Sequence, residues 1–120
     1  MSETLDVSKE ILNKIDEIEK LKKMNKEMID KSAQAMSNYD KELALTIVKL
    51  RNGVAMEIDG VEIKDPPATI IEKIAKGIIY QARLDLEKAQ GYVSGIKSNL
   101  MATQAQLNGL QSINRHLGEV

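Results

Sequence analysis

The sequence predicts an all-α protein in which two long helices form an antiparallel coiled-coil hairpin, with a short β-hairpin at their connection. Three observations predict this fold: an unbroken 3-4 repeat of apolar residues in the second half, a noisier repeat of similar length in the first half, and a strand-like stretch between them. The 120 residues suffice for a single domain, 1–120. Phe and Trp are absent and Tyr occurs three times, so aliphatic residues and Met must form the core. This composition suits helices packed along a narrow seam.

The first long helix is predicted over residues 3–51, ending at Asn52-Gly53. Its candidate seam residues are spaced alternately 4 and 3 apart, but several are polar, and Leu21, Met24 and Met28 lie beside the gaps. We therefore expect the apolar stripe to drift around this helix. The predicted seam comprises Ile11, Ile15, Ile18, Lys22, Asn25, Ile29, Ser32, Met36, Tyr39, Leu43, Thr46 and Leu50.

The connection is predicted to contain a β-hairpin over residues 54–64. Asp59-Gly60 lies between two short runs that alternate apolar and polar residues, and an Asp-Gly pair suits a two-residue turn in which both residues have positive φ. This turn places Glu57 opposite Glu62 on one face, where like charges repel. The other face is apolar and needs a cover, because an isolated two-stranded hairpin is marginal in water. The helix ends or the hairpin of a second copy could supply that cover.

After the hairpin, the sequence predicts a short helix over 67–76, capped either by Asp65 or by a Thr69–Glu72 capping box. Gly77 is the expected break, although a helix can continue through glycine at a cost of about 1 kcal/mol. The second long helix is predicted over 78–117. Its seam comprises Ile79, Ala82, Leu86, Ala89, Val93, Ile96, Leu100, Thr103, Leu107, Leu110, Asn114 and Leu117.

The second long helix is almost free of charge between Ala89 and Asn114, where Lys97 alone is charged. A helix that faces water on its outer side normally carries Glu and Lys there. Two interpretations are open: a polar, uncharged solvent face, or burial against a second copy of the chain. We favour the second, which predicts a homo-oligomeric helical bundle. The predicted oligomer interface is Gly91, Gly95, Gln106 and Gly109.

No group of residues predicts catalysis, a metal site or a cofactor site. His116 is the only histidine and lies where it can cap the last carbonyls of a helix, and cysteine is absent. The sequence therefore predicts a non-enzymatic protein. One basic group, spaced 3, 4 and 3 apart, could bind an anion or a nucleotide beside a helix start, or could be an ordinary solvated face. It comprises Lys73, Lys76, Tyr80 and Arg83.

Charge and hydropathy limit the partners. The 17 basic and 18 acidic side chains argue against binding to duplex DNA, which requires many phosphate contacts. No apolar run approaches the roughly 20 residues that span a bilayer, so no membrane partner is expected. A cytoplasmic location, in a host cell if the protein is viral, is the expectation.

The segments "PPATIIEKIAKG" and "YQARLDLEKAQGYVSGIKSNLMATQAQLNGLQSINRHL" resemble a group of small bacteriophage proteins encoded in early regions, over residues 64–118. This resemblance implies a phage origin and carries over no site residue. The leading hypothesis is a phage protein that acts by binding, as an adaptor in the early programme or as an inhibitor of a host protein. The alternative is an oligomeric sponge that sequesters a host immune signalling nucleotide. A chaperone clamp similar in topology to prefoldin is a third hypothesis.

Overall fold

A computed structural model describes residues 2–118 of the chain; residues 1, 119 and 120 of the predicted domain lie outside the described part. The helices are α1 (Ser2–Arg51), α2 (Ile71–Ile78) and α3 (Tyr80–Gly118), and the strands are β1 (Met56–Ile58) and β2 (Val61–Ile63). This order confirms the predicted class, an all-α helical hairpin with a β-hairpin in its connection. The described residues divide into unit 1, residues 2–29 with 91–118, and unit 2, residues 30–90.

Unit 1 consists of the first part of α1 and most of α3, packed side by side. Ile18 and Lys22 of α1 share a groove with Leu100–Asn108 of α3, whereas Glu10 and Lys14 share another with Gln106–Ile113. Residue numbers thus rise along one helix as they fall along the other, so the two segments are antiparallel. Ile18 in α1 and Ile96 and Leu107 in α3 are buried between them.

The seam of α3 is the predicted one in both units. All twelve of its residues, from Ile79 to Leu117, are buried or half-buried, and Thr103 is buried with the apolar residues. The strict 3-4 spacing leaves only one stripe that can face a partner helix along the whole segment. Because no competing stripe exists, the sequence pattern determines this face of α3.

The predicted seam of α1 is wrong at alternate positions between Ile11 and Tyr39, whereas Leu43, Thr46 and Leu50 are buried or half-buried as predicted. The half-buried residues Lys14, Leu21, Met28 and Ala35 replace Ile15, Lys22, Ile29 and Met36, which are exposed. Both stripes are 3-4 repeats and share Ile11, Ile18, Asn25, Ser32 and Tyr39. The observed stripe keeps the Lys22 ammonium in water and covers Leu21 and Met28, while the half-buried Lys14 ammonium pairs with Glu17 at 3.2 Å. Lys22 also has a glutamate partner, Glu19 at 3.9 Å, so each stripe contains one paired lysine and the ion pairs do not decide between them. The choice depends on the contacts that the partner helix offers.

Unit 2 has a small core where α1 ends. Leu50 is 1% exposed and packs with the buried residues Ile71 and Ala75 of α2. Half-buried side chains from α1, both strands and α2 surround this cluster: Leu43, Ile47, Met56, Ile63, Ile74 and Ile78. The connection between the long helices is therefore a packed element that closes over the end of α1.

The β-hairpin has the predicted register, with Met56 opposite Ile63, Glu57 opposite Glu62, and Ile58 opposite Val61. Asp59 and Gly60 both have positive φ, at 47° and 81°, as a two-residue turn with right-handed strand twist requires. The cover for its apolar face comes partly from α2, because Met56 and Ile63 belong to the unit 2 core.

The segment after the hairpin differs from prediction in its caps and in its break. A single 3-10 turn, Ala68–Ile70, precedes α2, and neither start has a side-chain cap among the described residues, so neither predicted capping arrangement forms. Helix α2 continues through Gly77, and the chain leaves helical geometry at Ile79, with φ −98° and ψ 27°. A Cβ at Gly77 would lie 3.4 Å from Cδ1 of Ile58, an ordinary van der Waals contact, so the hairpin lies close to α2 at this glycine.

Candidate binding surfaces

The predicted anion-binding residues lie on both sides of the break at Ile79. Lys73 and Lys76 belong to α2, and Tyr80 and Arg83 to the first turn of α3. Lys76 is half-buried and the other three are exposed. All four lie in unit 2, and the Tyr80 ring is mostly in water.

Two of these four residues already have carboxylate partners. Nζ of Lys76 lies 3.3 Å from Glu72, and Nε of Arg83 lies 3.1 Å from Glu87, each one helical turn away along the chain. An anion would have to compete with these carboxylates. Both pairs are exposed and therefore weak, so they lower the attraction for an anion without abolishing it.

Backbone donors at the break are also engaged. The amide of Ile79 donates to the Ala75 carbonyl at 3.1 Å, and the amides of Ala82 and Arg83 both donate to the Ile79 carbonyl, at 3.0 and 3.4 Å. A helix start attracts phosphate when several amides there lack partners. Because these amides already have acceptors, the start of α3 attracts anions less strongly than a helix end whose amides are free.

The four predicted interface residues are all exposed on α3 in unit 1. A Cβ added at Gly91, Gly95 or Gly109 would meet nothing within 4 Å, so the space above each of these glycines is open. Gln106 and Gly109 line a groove together with Glu10, Lys14, Leu110 and Ile113, which we call the Ile113 groove. Gly91 and Gly95 belong to neither groove of unit 1.

A second groove in unit 1 has a more apolar lining, and the sequence prediction missed it. We call it the Met101 groove. Met101 is 74% exposed at its edge, and Lys22 is its only charged lining residue. The sequence contains one signal of this groove: Met101 is apolar but lies outside the 3-4 seam, directly after the seam residue Leu100. The groove is lined by Ile18, Lys22, Leu100, Met101, Gln104, Ala105 and Asn108.

The apolar face of the β-hairpin is covered only in part. Met56, Ile58 and Ile63 are half-buried, whereas Val61 remains 63% exposed and Val54, just before β1, is also exposed. Successive strand residues point to opposite faces, so Glu57 and Glu62 lie on the other side of the same hairpin. A small apolar surface and a pair of carboxylates therefore occupy opposite faces of a two-stranded element.

Other classes of site have less support within the described residues. No three His, Asp or Glu side chains among residues 2–118 are placed to hold a metal ion together. None of the described helices is long and apolar enough to cross a membrane. No protein family, no curated protein and no solved structure matches this chain.

Proposed function

We propose that this chain acts without catalysis, by binding a partner protein at the hairpin in unit 2. The observation that carries the proposal is the uncovered half of the hairpin's apolar face, at Val54 and Val61. A two-stranded hairpin is marginal unless its apolar face is covered. A partner that covers these two valines stabilises the hairpin and gains apolar contact area at the same time.

The charge of the hairpin indicates the chemistry of that partner. Residues 54–65 carry four acidic side chains and one lysine. Glu57 and Glu62 face each other across the strands and repel, and Asp59 lies at the turn. Because Glu57 and Glu62 lie on the face opposite Val61, a lysine or arginine of the partner relieves this repulsion only if it reaches around the edge of the hairpin. The partner surface we propose is therefore an apolar patch bordered by basic residues.

The resemblance of residues 64–118 to small phage proteins favours a partner in the early phage programme or a host protein that the phage inhibits. This proposal places the protein in the cytoplasm of the host cell. The nucleotide sponge has weaker support, because Lys76 and Arg83 already pair with carboxylates of their own helices.

Affinity capture from a bacterial lysate with two matched variants tests the proposal. Val61→Lys places a charge on the apolar face, and Glu62→Lys places the same side chain on the opposite face of the same strand. We expect Val61→Lys to reduce recovery of a specific partner, identified by mass spectrometry, at least tenfold. Glu62→Lys should reduce this recovery less, because the Glu62 face contacts only the basic residues that border the partner's apolar patch. Equal recovery with parent and Val61→Lys protein would refute binding at this face, provided that both variants keep the parent circular dichroism.

A further inference from the structure

We infer that the Met101 groove of unit 1 binds the same groove of a second copy of this chain, with the two α3 helices packed against each other across a two-fold axis. The inference goes beyond the proposed function, because the groove shares no residue with the β-hairpin. It differs also from the interface that the sequence predicts at Gly91, Gly95, Gln106 and Gly109, none of which lines the groove.

The groove is open, with a volume of about 470 Å³, and its walls are the apolar side chains of Ile18, Leu100, Met101 and Ala105. Ile15, seven residues before Lys22 and so on the same side of α1, is 42% exposed and extends the apolar surface. Single exposed apolar residues are ordinary, whereas adjoining ones form a surface that a second molecule can cover.

Charge identifies the occupant as another copy of the chain. A helix that enters the groove must bring few charges, because a charge without a partner is costly to remove from water. Between Ala89 and Asn114, α3 carries only Lys97, whereas α1 carries acidic and basic residues along its length. The uncharged segment of α3 therefore matches the groove in polarity, and it forms one wall of the groove itself.

The polar residues of the groove can pair with their own copies. Nε2 of Gln104 donates to Oδ1 of Asn108 at 3.2 Å within one chain. This bond leaves Oε1 of Gln104 as an acceptor and Nδ2 of Asn108 as a donor. Across a two-fold axis, Asn108 of each copy can donate to Gln104 of the other. An isologous interface requires this kind of self-complementary pairing.

The area sets the expected strength of the dimer. Residues 91–118 extend about 42 Å at about 1.5 Å per residue, and one helix is about 10 Å wide, so the face of α3 alone covers about 400 Å². This is about half of the roughly 800 Å² per partner that a standard stable interface buries, so we expect a weak dimer.

Sedimentation equilibrium on the full chain and two variants tests the inference. Met101→Lys adds a charge to a groove whose only other charge is Lys22, so we expect the dimer dissociation constant to rise at least tenfold. Ile113→Lys is the matched control: it also replaces an exposed apolar residue of α3 by lysine, but in the Ile113 groove, which contains Glu10. We expect it to change the dissociation constant less than twofold. Lysine is a good helix former, and circular dichroism should show both variants folded.

Three results would overturn the inference: a monomeric parent at millimolar concentration, equal weakening by both variants, or weakening by Ile113→Lys alone. These three results can be distinguished from failure of the proposed function. Partner capture by the Val61→Lys variant is measured in a separate experiment from the sedimentation that measures dimerisation.

Discussion

Leu50→Ala is the substitution that we expect to destabilise unit 2 most. Leu50 lies in the last turn of α1, is 1% exposed and contacts a cluster formed with Ile71 and Ala75 of α2. It is the only large side chain that is fully buried among the residues the structure describes. Truncating it removes the contact through which α2 and the hairpin close over the end of α1.

The magnitude follows from burial and from the void left behind. Leu→Ala removes three carbons, which at about 0.8 kcal/mol per buried methylene costs about 2.4 kcal/mol. The cavity adds to this, because the surroundings relax only in part, and buried Leu→Ala changes cost about 2–5 kcal/mol overall. We expect a loss of about 3–4 kcal/mol in the free energy of unfolding. Since small domains have only about 5–15 kcal/mol of stability, such a loss is readily measured.

Urea unfolding followed by far-ultraviolet circular dichroism measures this loss. Leu45→Ala is the matched control, since Leu45 lies in the same helix but is 50% exposed, so its truncation leaves no closed cavity. We expect the control to cost less than about 1 kcal/mol. An equal or smaller loss of unfolding free energy for Leu50→Ala than for Leu45→Ala would contradict the described packing of α1 against α2.

Five further variants test three other parts of the fold by the same measurement. Ile18→Ala should cost about 2–4 kcal/mol and Ile15→Ala less than about 1 kcal/mol, because Ile18 is buried and Ile15 is exposed; equal costs would favour the seam predicted from sequence. Gly53→Ala should destabilise by about 1–2 kcal/mol because φ is 76°, whereas Gly91→Ala, in open space on a helix, should stabilise by up to about 1 kcal/mol. Replacing Asp59-Gly60 by Ala-Ala should cost a few kcal/mol at most and leave the long helices folded; collapse of the helical signal would contradict this.

The parts of the fold that the sequence predicts correctly are those where only one arrangement satisfies the local pattern. The seam of α3 is an uninterrupted 3-4 repeat, and Asp59-Gly60 allows one turn register between its flanking strands. The seam of α1 is different, because two stripes share every second member between Ile11 and Tyr39. The choice between Ile15 and Lys14, or between Lys22 and Leu21, depends on how the partner helix packs, which a single-helix pattern does not contain.

The break before α3 could not be placed from local preference either. Glycine is the usual signal for a helix end, and Gly77 was the natural candidate. In the structure Gly77 stays helical, with Ile58 of the hairpin close to it, and the helix ends at Ile78 instead. The Met101 groove was missed for a related reason. Ile18 and Lys22 of one helix meet Leu100–Asn108 of the other only once the antiparallel alignment of unit 1 is known.

Site-specific photo-cross-linking at the hairpin tests most directly whether the protein acts by binding a partner there. A photoreactive amino acid at position 61 would sit on the exposed apolar face, and the same residue at position 62 on the opposite face. After irradiation in bacterial cells, we expect a discrete cross-linked protein with the probe at position 61 and much less of it at position 62. No cross-linked protein from position 61, or equal yields from both positions, would contradict the proposed binding face.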